Sequence, residues 1–272
     1  MNNTEENIEE KALFVERIRE QIVNAPGDVD VTALKKALDE IQAVGSDLTK
    51  IWFLLDRSGS MQSIADDVIG GYNTYVADRV GETGSVSMTT VQFDSQNPFD
   101  IIDDGCDIKK VHSLTRSTYQ PRGATPLYDA VGMLINRADQ RIKDREKAGL
   151  PSEDQLLIIF TDGMENDSRT FDRRMIFDLI KDRTDRDWTF VFMGANQDSY
   201  LEGGKVGLMD GNLQDYEATS ESVGMAFASM SRATTDYMAK PRSQRVVDKD
   251  SFFGDLKEAE LALRRARRRR QR

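Results

Sequence analysis

Five consecutive apolar residues, Ile51-Trp52-Phe53-Leu54-Leu55, run directly into Asp56-Arg57-Ser58-Gly59-Ser60. A run of this length suits a central strand buried on both faces of a sheet. The Asp-x-Ser-x-Ser that follows places a carboxylate and two hydroxyls where that strand must turn. In an open parallel sheet, ligands bind at the carboxyl ends of the strands. Alternate residues across a tight turn point the same way, so this spacing can present all three side chains to one ion.

Strands and helices alternate after this run. Thr49 to Leu55 is the first strand, and Ile64, Val68, Ile69, Tyr72, Val76 and Val80 mark a helix whose middle is weakened by Gly70-Gly71. Val86 to Phe93 reads as a second strand and Phe99 to Ile102 as a short third that pairs with it as an edge hairpin. Asp103 to Gly123 is polar and irregular. Leu127, Val131, Leu134, Ile135, Ala138 and Ile142 give a long amphipathic helix, with Pro126 at its first turn, where a missing N–H does no harm. Leu156 to Thr161 is another doubly buried strand, Phe171 to Ile180 a helix and Trp188 to Met193 a strand. Val206 to Asp215 carries no clear pattern, and Val223, Ala226, Phe227 and Met230 mark a last helix. The fold class expected is α/β: a doubly wound, mostly parallel sheet with helices on both faces.

Two appendages flank this main domain of residues 46–238. Residues 1–45 read as a helical pair packed on it. Ile8, Ala12, Val15, Ile18 and Ile22 form one stripe, stopped by Asn24-Ala25-Pro26-Gly27; Leu34, Leu38 and Ile41 form a second within Thr32 to Val44, closed by Gly45. Residues 239–272 read as a charged tail with a weak helix from Phe252 onward. Seven arginines fall between Arg264 and Arg272, so the formal charge of −10 conceals a body carrying −17. An acidic body disfavours nucleic acid, and any such contact would run through the tail.

Cys106 is the only cysteine, which excludes an intrachain disulfide and a thiolate metal site. No apolar stretch approaches the roughly 20 residues of a membrane span, and the first residues lack a signal-peptide pattern. A soluble cytoplasmic protein is expected.

Three separated segments supply oxygen ligands next to an expected strand end or helix start: Asp56, Ser58 and Ser60; Thr125, just before a helix; and Asp162, in Thr161-Asp162-Gly163. In this order and at these positions the set resembles the metal-ion-dependent adhesion site (MIDAS) of von Willebrand factor A domains, over roughly residues 48 to 238. The resemblance implies that the serines, and in one state Thr125, touch a metal directly while the aspartates act partly through water. Hard oxygen ligands select Mg²⁺, Mn²⁺ or Ca²⁺ over zinc, and small hydroxyls suit Mg²⁺. An ion held mainly by neutral hydroxyls stays electrophilic and can take an Asp or Glu carboxylate from a partner protein. The motif texture resembles bacterial and phage members more than secreted animal ones. In such proteins the resemblance implies a non-enzymatic adaptor, often beside a MoxR-type AAA+ ATPase.

Other readings compete residue by residue. Ser60 and Thr125 are good helix N-caps, and Ser58, Asp56 and Asp162 could serve turns. A calcium-binding EF-hand loop fails because Met61 stands where its glycine is required. A haloacid dehalogenase-type phosphatase would cast Asp56, Asp162 and Asp167 as its acids, with Lys109 or Lys143, but that fold wants a second aspartate where Ser58 stands. His112 is the only histidine and no Gly-x-Ser-x-Gly occurs, which disfavours a serine hydrolase; His112 reads as a solvent-facing loop residue. Asp94 and Asn196 could form an outer shell or simple turns, and Glu165, Asn166 and Asp167 an acidic rim. The arginine tail is read as a generic electrostatic contact with nucleic acid or an acidic partner, or as a solubilising end.

Overall fold

The computed structural model describes residues 48–82, 85–195 and 203–254, with isolated positions at 17, 20–21, 24–25 and 32. Six strands form one sheet: β1 (Leu48–Asp56), β2 (Ser85–Asp94), β3 (Asn97–Asp107), β4 (Asp154–Thr161), β5 (Thr189–Ala195) and β6 (Leu213–Tyr216), in spatial order β3-β2-β1-β4-β5-β6. All neighbours pair in parallel except β2 and β3, an antiparallel hairpin with bulges.

The apolar run explains the centre. Alternate residues of β1 project to opposite faces, so Ile51, Phe53 and Leu55 enter one core layer while Trp52 and Leu54 enter the other. The first layer is covered by α1 (Ala65–Val80) and α4 (Ser220–Ala239), the second by α2 (Leu127–Lys147) and α3 (Arg173–Thr184). Gly71, which weakens α1 on propensity, is the point where Phe227 of α4 approaches. A Cβ there would lie 2.2 Å from the ring.

Three expectations shift. The third strand runs to Asp107 rather than Ile102, because register shifts in the hairpin let its acidic second half keep pairing with β2. The unpatterned stretch before Asp215 contains β6, four residues long and too short to announce itself. The chain past Met238 does not leave the domain. It forms α5 (Arg242–Asp248) and turns back, with Arg245 4 % exposed and Phe252 and Phe253 buried. Arg245 donates to Asp154 Oδ2 at 2.7 Å and to the carbonyls of Met238 and Lys240, and the Phe253 N–H reaches the Gly211 carbonyl. A single buried arginine in a short polar stretch leaves no periodic signal, and the packed region extends to Gly254, past the expected boundary.

The arginine run and most of residues 1–45 lie outside the described residues. Arg17, Glu20, Gln21 and Thr32 are helical and exposed, and the Asn24 N–H donates to the Glu20 carbonyl. Among the described residues no helix is long and apolar enough to cross a membrane.

Candidate metal centre

The parallel pairing of β1 with β4 brings the expected ligands together at the carboxyl ends of the two strands. Asp56 ends β1 with 0 % exposure. Its Oδ1 accepts the Ser58 N–H at 2.6 Å and its Oδ2 accepts the Thr161 hydroxyl at 2.5 Å. Ser58 Oγ and Ser60 Oγ lie 3.1 Å apart, and Ser60 Oγ donates to Asp162 Oδ1 at 2.6 Å. Thr125 is buried, and a Cβ built on Gly163 would lie 3.0 Å from its Oγ1 and 3.7 Å from Asp56 Oδ2. Hence the five residues gather at the same strand ends, with Thr125 and Asp56 both close against the bare backbone of Gly163.

The capping alternatives do not hold here. The N-cap positions of α1 and α2 are Ile64 and Pro126, and Ser58, which precedes the 3-10 turn Gly59–Ile64, makes no capping hydrogen bond. The first turn of α2 is served instead by Glu165, whose Oε2 accepts the Tyr128 N–H at 2.9 Å.

Neighbouring loops fix the strand ends. Tyr119 donates to the Asp56 carbonyl at 2.6 Å, and Tyr216 to the Thr161 carbonyl at 2.9 Å. Asn166 Oδ1 accepts the Thr125 N–H, and the Asn166 N–H returns to the Thr125 carbonyl. Asp129 on α2 accepts three successive backbone N–H groups, from Arg169 to Phe171. Asp94 takes the turn role considered for it and pairs with two arginines besides. One oxygen closes the β2–β3 turn on the N–H groups of Gln96 and Asn97, while the other accepts from Arg57 and Arg122. Glu165 and Asn166, expected as a solvated rim, are therefore structural ties. Tyr119 and Tyr216 escaped the sequence reading because each acts through one hydroxyl on a distant backbone carbonyl.

The electrostatics leave a deficit. Arg57, although next in sequence to Asp56, turns away to Gln92, Asp94 and Asp100. Burial pushes the Asp56 carboxyl up to about 6, opposed by the hydrogen bonds from Thr161 and Ser58, with the Asp162 charge adding to the rise. Asp162 is also raised, again by burial first. Two neighbouring carboxylates with hydroxyls and, among the described residues, no cationic side chain paired to them match the donor chemistry of a hard divalent ion. Among the described residues no three carboxylate, imidazole or thiol groups gather as a metal cage. A site here would depend on hydroxyl oxygens.

The remaining candidates lie elsewhere. Asp167 pairs with Arg169, Lys109 sits in the turn after β3, and Lys143 lines a cavity at the opposite end of the sheet. The His112 side chain is exposed, with Nδ1 2.6 Å from Asp103 Oδ1. Burial, and then the Asp103 carboxylate, raise the Cys106 thiol. Asn196 lies outside the described residues.

No family model and no curated protein matches the chain. Among solved structures the fold recurs at low identity. Proximal thread matrix protein 1 from the mussel byssus, with a zinc-occupied MIDAS motif, is 14 % identical over 66 % of this chain and 46 % of that one, with a TM-score of 0.50. The pilus adhesin SpaC from Lactobacillus rhamnosus GG, in an open conformation, is 10 % identical over 70 % of this chain and 30 % of that one, with a TM-score of 0.52. A von Willebrand factor type A structure from Catenulispora acidiphila is 15 % identical over 69 % and 42 %, with a TM-score of 0.47. This chain thus spans less than half the length of each. At such identities the likeness is one of fold alone: a mostly parallel α/β sheet covered by helices on both faces.

Proposed function

We propose that this domain is a non-catalytic binding module that captures a partner protein through a divalent cation held by Asp56, Ser58, Ser60, Thr125 and Asp162. The observation that carries the reading is the meeting of two neighbouring carboxylates and three hydroxyls with, among the described residues, no cationic side chain paired to them. Mg²⁺ is the ion that suits these donors best, with Mn²⁺ and Ca²⁺ as substitutes. When bound, the ion would supply an open, electrophilic position for an oxygen ligand. The chain's residues do the rest: Tyr119 and Tyr216 hold the two strand ends, Asn166 holds Thr125, and Gly163 leaves room beside Thr125 and Asp56. The partner group is an Asp or Glu side chain. A cytoplasmic adaptor of bacterial or phage type, working beside a MoxR-type AAA+ ATPase, is the setting we favour, with the Arg264–Arg272 run as a second, electrostatic contact for nucleic acid or an acidic surface.

The test is a pull-down from the native host with wild type and Asp56→Ala, each in Mg²⁺ and in EDTA. Partners should be retained only by wild type in Mg²⁺. Equal retention in all four conditions defeats the metal bridge, and hydrolysis of a phosphomonoester that is lost in Asp56→Ala would make the protein a phosphatase instead.

A further inference from the structure

The loop that delivers Thr125 also delivers a guanidinium. Residues 119–125 lie as a splint along the first ligand motif. The Tyr119 hydroxyl donates to the Asp56 carbonyl at 2.6 Å, the Arg122 N–H donates to the Arg57 carbonyl at 2.8 Å, and the Gly123 carbonyl accepts the N–H of Gly59, which stands between the two ligand serines, at 3.0 Å. Gly123 turns with φ +67° and admits no side chain, since a Cβ there would lie 2.3 Å from Ser95 Oγ, which accepts the Ala124 N–H.

The Arg122 side chain is tied down but not used up. Its Nε donates to Asp94 Oδ2 at 3.0 Å, the same oxygen that Arg57 holds, and the side chain remains 41 % exposed. Arg57 has Gln92 and Asp100 besides. Arg122 has no second carboxylate among the described residues, and its two terminal nitrogens make no hydrogen bond there. The other exposed arginines of this pole are less prepared: Arg116 pairs with the exposed Asp66, and Arg169, 82 % exposed, reaches only Asp167 of its own loop, at 3.5 Å.

Asp56 lies opposite Phe93 across the β1–β2 pairing, and Asp94 follows Phe93. Neighbouring strands run about 4.8 Å apart, so the carboxylate that holds Arg122 belongs one strand to the side of the metal centre. In an extended peptide, side chains two residues apart share a face and stand about 6.7 Å from each other, a span of the same order. The body of the chain is acidic, so a second acid on a partner is repelled unless a local cation receives it.

We infer that Arg122 is a second anchor beside the proposed cation site, and that the partner segment it fits is an extended Asp/Glu-x-Asp/Glu, with one carboxylate on the ion and the other on the Arg122 guanidinium. This rests on the cation reading above and adds to it the sequence class of the partner. A guanidinium already held through Nε keeps a terminal edge for a carboxylate and loses little further freedom on binding it.

The test titrates the full chain with three end-blocked peptides, Gly-Asp-Gly-Asp-Gly, Gly-Asp-Asp-Gly-Gly and Gly-Asp-Gly-Asn-Gly, followed by NMR shifts in Mg²⁺ and in EDTA. In Mg²⁺ wild type should bind the first about tenfold more tightly than the other two, the scale of one charge-assisted hydrogen bond. Arg122→Gln should bind all three alike, at the wild-type affinity for the single-acid peptide, and Arg169→Gln should keep the wild-type preference. Asp94 retains Arg57 in the Arg122→Gln protein, so no buried charge is left bare. Equal binding of the first two peptides by wild type, an unchanged preference in Arg122→Gln, or an equal loss in Arg169→Gln overturns the second anchor and leaves the cation site standing. No binding in Mg²⁺, or binding that EDTA does not remove, defeats the cation reading itself and this inference with it.

Discussion

Carboxylates at the two ends of one sheet fall on opposite sides of the usual carboxylate range. At the strand-start end Glu153 meets Arg141 and Arg145, and Asp154 meets Arg242 and Arg245. Burial alone would raise Glu153, but the hydrogen bond and charge of Arg141, helped by Arg145 and Lys50, hold it below the usual carboxylate range. At the strand-end pole Asp56 and Asp162 meet hydroxyls and backbone N–H groups, and burial pushes both upward. The first pole finds its positive charge within the chain. Among the described residues the second shows no such pairing, even though Arg57 is adjacent in sequence. This contrast separates a structural ion-pair network from the cation site proposed above.

The contrast can be broken most forcefully at Arg245. Arg245→Ala leaves Asp154 without its buried partner, and removal of one member of a buried pair costs about 3–5 kcal/mol, measurable by denaturant unfolding. In metal-free buffer Asp56→Asn should lose nothing comparable, since it removes an uncompensated charge. A loss as large as that of Arg245→Ala would erase the distinction between the poles. Added Mg²⁺ sharpens it: at a hundredfold excess over Kd the gain is about 2.7 kcal/mol, expected for wild type, expected in full as an increment for Arg245→Ala, and absent for Asp56→Asn. A subtler probe is Gly163→Ala, whose new methyl would crowd Thr125 Oγ1. It should abolish the Mg²⁺ increment in thermal melts while changing metal-free stability by under about 0.5 kcal/mol, the usual range for substitutions outside the core.

A pH-dependent probe is Lys50, the strand-start pole's counterpart to Asp56. It is fully buried, donates to Thr89 Oγ1 at 2.6 Å and lies over the Trp52 ring. Burial first, and then the Arg141 charge, lower it to about 7, with Glu153, Asp104 and Cys106 acting the other way. The unfolded chain therefore holds the extra proton between about pH 7 and 10.5, and stability should climb with pH across that window, the burial penalty being fully present below it. Lys50→Met should flatten the climb in unfolding curves taken from pH 7 to 9.5, and a wild-type curve that is already flat would show Lys50 charged in the fold.

The parts of this architecture legible in the sequence are those carried by local pattern. β1, β4 and β5 are apolar runs, and α2 is a clear stripe. Asp56, Ser58 and Ser60 are held in five residues, and Thr125 and Asp162 joined them through the order of motifs along a β/α alternation. What stayed hidden acts singly and at long range. Tyr119 sits in an irregular loop 63 residues from its acceptor, and Arg245 reaches a strand 91 residues away. Asp94 looked like an ordinary turn aspartate because its second task, holding Arg57 and Arg122, depends on partners brought in by the fold.

The β2–β3 hairpin has a bearing on how copies of this protein share a crowded solution. Its outer strand, β3, is the long free edge of the sheet among the described residues, and such edges invite strand addition by another molecule. β3 carries four aspartates in eleven residues, Asp100, Asp103, Asp104 and Asp107. A second copy pairing there would bring like charge against like charge, while the other edge, β6, offers only four residues to pair with. The sheet is thus guarded against self-templating by repulsion at one margin and by brevity at the other.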